Sequence, residues 1–392
     1  MDYIEQGKNV LMGTYGRYPI VLEKGKGPWV WDTEGKKYLD FVSGISVNNL
    51  GHCHPAIVKA VKEQAEQMFH CSNLYWSKPQ LALAEKLVAA SGLGKVFFGN
   101  SGAEANEGAI KLARKYFYDK GQPEKYEIIT MVKSFHGRTL ATLTATGQDK
   151  VKTGFSPLMP GFTYVPYNDF QGLAAAVNDH TCAIMLEPIQ GEGGVHPANA
   201  DYLKKIKAFC EEKDLLLIFD EVQCGLGRTG KLFAYENYGV VPDIVTLAKA
   251  LGGGLPMGAF IASDKVAASF GPGSHGSTFG GNPVVAAAGN AYLETIEKEH
   301  ILENVTKISA YLQEKLNGIM DERIKEVRGM GLLLGMELTV DAGPIVNRCL
   351  ERGLLLLVAG PHVIRFLPPL NTTEDLVDSA VAILENVLKE EA

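Results

Sequence analysis

Short apolar runs closed by Gly, Pro or a charged residue alternate with stretches whose apolar positions recur every three or four residues. The runs at 95–98, 127–132, 183–186, 215–219, 244–247 and 258–262 are rich in Val, Ile, Leu and Phe, and predict strands buried on both faces. Between them, residues 103–117 place Ala105, Ala109, Leu112, Ala113 and Tyr116 at helical spacing. Residues 201–213 likewise gather Leu203, Ile206, Phe209 and Cys210 on one face. This alternation predicts an α/β fold, a mainly parallel sheet with helices on both sides. The two ends read differently. Trp29-Val30-Trp31 and Lys37-Tyr38-Leu39-Asp40-Phe41 flank Asp32-Thr33-Glu34-Gly35 and predict a hairpin. From about residue 290 the pattern predicts two long amphipathic helices around a strand pair at 331–338 and 354–367. The expected organisation is a large domain at 46–288 and a smaller α+β domain from 289–392, joined by residues 1–45.

Composition narrows the class. The chain has 392 residues, 46% hydrophobic and 21% charged, which is ordinary for a soluble globular protein. The net charge of −7 is spread along the chain, and no basic tract suits nucleic acid. Residues 1–10 carry acids and no apolar segment, so no signal peptide is expected, and runs such as 354–359 are too short to span a bilayer. Six cysteines without a C-x-x-C pair read as reduced thiols of a cytoplasmic protein.

The candidate chemistry sits at strand ends. Asp220 closes Leu215-Leu216-Leu217-Ile218-Phe219, and Lys249 closes Ile244-Val245-Thr246-Leu247-Ala248. Ends of neighbouring strands in an open α/β sheet share one crevice. A buried lysine beside a carboxylate there is what an aldehyde cofactor with a ring nitrogen requires: the lysine forms the Schiff base and the acid keeps the ring protonated. An exposed lysine would need no such partner, but a lone acid ending an apolar strand is costly without one.

Further motifs follow other strands. Asn100-Ser101-Gly102-Ala103-Glu104-Ala105-Asn106-Glu107 offers an N-cap and free N–H groups, suited either to plain capping or to phosphate. Phe135-His136-Gly137-Arg138 offers an aromatic face for a flat ring and an arginine for a carboxylate. Glu187-Pro188-Ile189-Gln190-Gly191-Glu192-Gly193-Gly194 puts two acids in a Gly-rich loop, read as a turn or as balance for a buried arginine. Ser277-Thr278 adds two hydroxyls in a flexible loop. Gly225-Leu226-Gly227-Arg228-Thr229-Gly230 fits the dinucleotide spacing but opens no crossover helix, so it reads as a tight loop. His52-Cys53-His54 has no evident third ligand group, and no metal is expected.

In order along nearly the whole chain, these motifs resemble the class III, fold-type I pyridoxal-phosphate aminotransferases. The match includes Tyr15-Gly16-Arg17-Tyr18-Pro19, F-H-G-R-T, L-E-P-I-Q-G-E-G-G, F-D-E-V-Q-C-G-L-G-R-T-G, L-A-K-A-L-G-G-G-L-P-M-G, H-G-S-T-F-G-G-N-P and Arg365-Phe366-Leu367-Pro368-Pro369-Leu370. The resemblance implies a seven-stranded, mainly parallel sheet in the large domain and pyridoxal 5'-phosphate as cofactor. It implies that Lys249 holds the cofactor and shuttles the proton, and that Asp220 meets the ring nitrogen. Gln223 would contact the phenolic oxygen, with Glu221 and Val222 beside it. Ser101, Gly102 and Ala103 would hold the phosphate, and Phe135 and His136 would lie against the ring. Thr278 would reach the phosphate of a neighbouring subunit, giving a homodimer with shared active sites. Tyr15, Arg138, Glu187, Glu192, Ser277 and Arg365 would line the substrate pocket. In this family the arginine at Arg138 takes the far carboxylate of either substrate. The one at Arg365 takes the α-carboxylate of glutamate and is neutralised by Glu192 otherwise. Family members acting on free ornithine carry tyrosine where this chain has Ile45, so an acylated amine is expected: N2-acetylornithine, with 2-oxoglutarate as acceptor. 4-Aminobutyrate, ornithine, succinylornithine, N-succinyl-diaminopimelate, an aminomutase reaction and a non-enzymatic phosphate binder remain open from sequence.

Overall fold

Leu216–Asp220 is the central strand of a seven-stranded sheet. In order the sheet runs Lys95–Gly99, Gly258–Ala262, Ile244–Leu247, Leu216–Asp220, Thr181–Leu186, Glu127–Met131 and Phe162–Val165. Only Gly258–Ala262 runs against its neighbours. These positions come from a computed structural model describing residues 2–390. Burial on both faces is plain in the central strand. Leu216 and Ile218 pack with Ala109, Ala113 and Phe117 of the helix Gly102–Asp119. Leu217 and Phe219 join the opposite core with Leu203 and Ile206 of the helix Ala200–Lys213. Gly108 permits the close helix–sheet approach, since a Cβ there would meet the Phe260 ring at 2.2 Å.

The six predicted strands all form, with ends shifted by one or two residues. The edge strand Phe162–Val165 was not read from sequence, because its half-buried Phe-Thr-Tyr-Val carries little pattern. The hairpin pairs Trp29–Asp32 with Lys37–Asp40, and Leu22–Lys26 extends it on the other side.

The C-terminal part departs from expectation. Among the described residues four helices form beyond residue 282, Pro283–Lys298, Ile301–Asn317, Ala342–Glu351 and Glu374–Glu390, rather than two. The partner of Leu333–Leu338 on one side is Ile324–Met330, and the run at 354–367 is broken into three pieces. Val363–Phe366 pairs with Leu333–Leu338, while Leu354–Leu355 leaves to lie parallel to Lys37–Asp40 in the N-terminal sheet. Gly360 at φ 77° turns the chain between the pieces. Among the described residues no helix is long and apolar enough to cross a membrane.

Candidate active site

Asp220 and Lys249 follow adjacent parallel strands and line one cavity of about 490 Å³ at their C-terminal ends. Asp220 is buried, and its carboxylate is fixed from three directions. Oδ1 accepts from the Val222 N–H (3.0 Å) and Oδ2 from the Asn106 amide (2.7 Å), and His136 Nδ1 lies 2.8 Å from Oδ2. Asn106 also donates to the His136 carbonyl at 2.7 Å, locking the cluster. The sequence reading missed Asn106. The signal was there, as a polar residue on the buried stripe of a helix, but nothing told which group it would meet.

Lys249 sits at φ 51°, a left-handed conformation that side chains adopt only when their surroundings impose it. Burial pushes its amine down to about 8, and Arg365 adds to the shift while Glu192 opposes it. The folded chain therefore binds fewer protons than the unfolded one between pH 8 and 10.5. The penalty for burying the cation is full below that window and fades as pH rises through it. Acylation of Lys249 in the cofactor-free protein, followed by peptide mass spectrometry, is expected to rise with a midpoint near pH 8. A midpoint at the ordinary 10.5 would contradict this environment.

Ser101 caps the helix Gly102–Asp119, its hydroxyl accepting from the Glu104 N–H at 3.2 Å. The free N–H groups behind it open on the cavity. Gly102 is needed there because a Cβ would meet Val222 at 2.7 Å, and Gly258 because a Cβ would lie 2.1 Å from the Ser101 carbonyl. Phe135 and Arg138 line the opposite wall, with the guanidinium 5.4 Å from the ring centre.

A second charge cluster adjoins Lys249. Buried Arg365 donates through Nη1 to the Gly191 carbonyl (3.1 Å), Glu192 Oε1 (2.5 Å) and Gln223 Oε1 (3.0 Å). Gln223 Nε2 donates to the same Glu192 oxygen at 3.0 Å. Burial would raise the Glu192 carboxyl, but the Arg365 charge and hydrogen bond win and hold it at about 2. Glu187 lies deeper, accepting from the Phe135 and Gly191 N–H groups. Burial, with Asp220 nearby, lifts its carboxyl well above the usual range.

Five expected site residues lie outside the cavity wall, Arg365 behind Glu192 and Gln223 among them. Glu221 points away from the cavity and accepts from the Ala234 (2.6 Å) and Tyr235 (2.7 Å) N–H groups, because successive residues at a strand end face opposite ways. Ser277 Oγ is 3.2 Å from the Asn100 amide, next to the cavity rather than in its wall. Thr278 is exposed on a loop that packs with residues 70–73, and Tyr15 is exposed under Arg17. Within one chain, neither reaches the Lys249 cavity. His52 and His54 do not converge, since His52 Nε2 meets Asp40 (2.7 Å) and His54 Nε2 faces Glu299 (3.6 Å).

The Aminotransferase class-III family model matches residues 12–388, and the chain belongs to this family. An acetylornithine aminotransferase of Caldanaerobacter subterraneus subsp. tengcongensis is 56% identical over 386 residues, covering 98% of each chain. Two solved structures superpose over 99% of this chain. The N-acetylornithine aminotransferase from Stenotrophomonas maltophilia K279a has 40% identity and a TM-score of 0.85, with 99% of its own length covered. An ornithine aminotransferase from Toxoplasma gondii, described with partial occupancy of PLP at its active site, has 33% identity and a TM-score of 0.96, with 94% covered. The protein is thus an aminotransferase that works with pyridoxal 5'-phosphate.

The residues present fit that cofactor. The cavity joins a buried carboxylate, an amine with lowered proton affinity, free N–H groups at a helix start and an aromatic wall. Buried His136 Nε2 and Asn106 Oδ1 have no hydrogen-bond partner among the described residues, which leaves the polar cluster around Asp220 incompletely satisfied.

Proposed function

We propose that this chain transfers the δ-amino group of N2-acetyl-L-ornithine to 2-oxoglutarate, giving N-acetyl-L-glutamate 5-semialdehyde and L-glutamate, a step that serves arginine synthesis. The observation that carries the reading is the Arg365–Glu192 pair beside Lys249: a buried carboxylate site whose charge is balanced by a mobile-length side chain when no substrate carboxylate fills it. Near full-length likeness to acetylornithine enzymes supports the donor. So does Ile45, which offers no phenol to a free α-ammonium group.

When bound, pyridoxal phosphate supplies an aldehyde that takes up the amino group and a ring that delocalises the electrons released at the reacting carbon. The protein does the rest. Lys249 Nζ takes the proton from the reacting carbon and returns it, a task suited to an amine tuned to about 8. Asp220, oriented by Asn106 and His136, would hold a proton at the cofactor's ring nitrogen. The Gly102 and Ala103 N–H groups would bind its phosphate at the helix start, with Ser101 beside them. Phe135 and Val222 close the two walls. Arg138 binds the far carboxylate of either substrate, and Arg365 the α-carboxylate of glutamate. Glu187, its carboxyl pushed up by burial, braces the Phe135 and Gly191 backbone.

The same reading includes a homodimer with shared sites. Large apolar side chains stand exposed at Phe69 (67%), Leu74 (83%), Tyr75 (68%), Trp76 (86%) and Phe279 (60%), beside Thr278. Such a patch calls for a partner surface. Thr278 and Tyr15, outside their own cavity, would then serve the partner's. Residues 46–288 form the cofactor-binding domain in this scheme, and 289–392 with 1–45 the small one.

Single-turnover half-reactions with a panel of amines, followed by cofactor absorbance, test the reading. N2-acetylornithine should exceed ornithine and 4-aminobutyrate in kcat/KM by about 10²-fold or more. Preference for either of those, or repeated turnover without a keto acid, would overturn it.

A further inference from the structure

The G-x-G-x-x-G segment is followed by the short turn Ala234–Tyr238 rather than a crossover helix, and its arginine is turned into the protein. Arg228 is fully buried, and among the described residues no carboxylate lies within ion-pair distance of it. Its donors go to neutral oxygens. Nε meets Ser46 Oγ (3.1 Å), Nη2 meets Asn49 Oδ1 (2.5 Å), and Nη1 meets the Leu332 (3.0 Å) and Pro368 (2.5 Å) carbonyls. A buried guanidinium whose hydrogen bonds go to neutral oxygens, with the Asp40 carboxylate acting on it only from a distance, is an expensive arrangement, and burial pushes its proton affinity down to about 9.

The segment it grips is unusual too. Ser43, Gly44, Ile45 and Ser46 have φ of 49°, 61°, 62° and 63°, one turn of left-handed backbone in which only Gly44 is free of Cβ crowding. β-branched Ile45 is especially disfavoured there. The entry is fixed by Asp40 Oδ1, which accepts from the Val42 and Ser43 N–H groups at 2.8 and 3.0 Å. The exit is fixed by Ser46, whose hydroxyl accepts from Arg228 and bonds the Gln223 carbonyl at 3.2 Å. The next residue, Val47, lines the Lys249 cavity. Gln223 in turn holds Arg365 and Glu192.

We propose that Arg228 is a positioning residue of the active site: through the Ser46 hydroxyl it holds residues 43–46 left-handed, setting Val47 in the cavity wall and Gln223 against Arg365 and Glu192. It rests on the aminotransferase reading only for the substrates used to detect it. The buried guanidinium and the strained turn meet at the Ser46 hydroxyl, the one side chain of residues 43–46 that Arg228 contacts.

Two substitutions at one position separate this from simple packing. Ser46→Ala removes the hydroxyl and keeps the Cβ crowding, whereas Ser46→Gly removes the hydroxyl and makes the left-handed turn easy. In the holoenzyme, Ser46→Ala should raise KM for both the amino donor and 2-oxoglutarate by about tenfold with kcat within about threefold. Ser46→Gly should recover most of that rise. Far-ultraviolet circular dichroism and thermal midpoints, read alongside, report folding. If Ser46→Ala fails to fold while Ser46→Gly folds, the turn is again what the hydroxyl maintains. Equal KM rises in both variants, unchanged KM in Ser46→Ala, or failure of both to fold would overturn the proposal. A wrong donor would show as poor turnover in the unaltered enzyme, independent of these ratios.

Discussion

Lys249→Ala is expected to abolish amino transfer, with turnover falling by at least about 10⁴-fold, while the protein stays folded. Lys249 is the amine in the cavity wall with burial-lowered proton affinity, and it stands where the strand Ile244–Leu247 ends, beside Asp220 on the next strand. The fold should survive because alanine removes a buried cation that is disfavoured below pH 8 and leaves the surrounding strands untouched. The left-handed φ of 51° is no harder for alanine than for lysine. Single-turnover absorbance checks the chemistry and thermal unfolding checks the fold. Methylamine added to the variant should restore part of the rate by supplying the missing base. Turnover within tenfold of the unaltered enzyme would remove Lys249 from its role.

The residues that were legible are those where an apolar context makes a polar side chain conspicuous. Asp220 and Lys249 each end an uninterrupted apolar run, so sequence placed both at one edge of the sheet. The central strands were legible for the same reason, since burial on both faces demands apolar residues throughout. Where burial is partial the signal thins, as at Phe162–Val165, and the apolar run at 354–367 hid the point where one piece leaves for another sheet. Glu221 was misplaced by reading D-E-V-Q as one surface, although strand geometry alternates its faces. Asn106 and Arg228 were opaque for a deeper reason. Their partners lie 114 and 182 residues away, and no local pattern announces such pairings. Thr278 and Tyr15 are exposed and lie outside the cavity, so no function for them is visible within one chain.

Glu192→Gln should separate the two half-reactions. Arg365 is buried against Glu192, Gln223 and the Gly191 carbonyl, and among the described residues Glu192 is the one carboxylate in ion-pair contact with it. With its carboxyl held at about 2, Glu192 is charged at every working pH. Glutamine keeps the shape and an acceptor oxygen but supplies no charge. Glutamate brings its own α-carboxylate to Arg365, so its half-reaction should stay within about fivefold, or improve where Glu192 no longer has to be displaced. Acetylornithine brings a neutral acetamide, and Arg365 is then left buried without an anion. Breaking a buried pair in this way costs about 3–5 kcal/mol, so kcat/KM for the acetylornithine half-reaction should fall by about 10²-fold or more. A second readout is independent of turnover. Glu192 raises the proton affinity of Lys249, so its neutralisation should move the pH midpoint for Lys249 acylation below about 8. Equal losses in both half-reactions, with that midpoint unmoved, would show that Glu192 neither balances Arg365 nor faces Lys249 electrostatically.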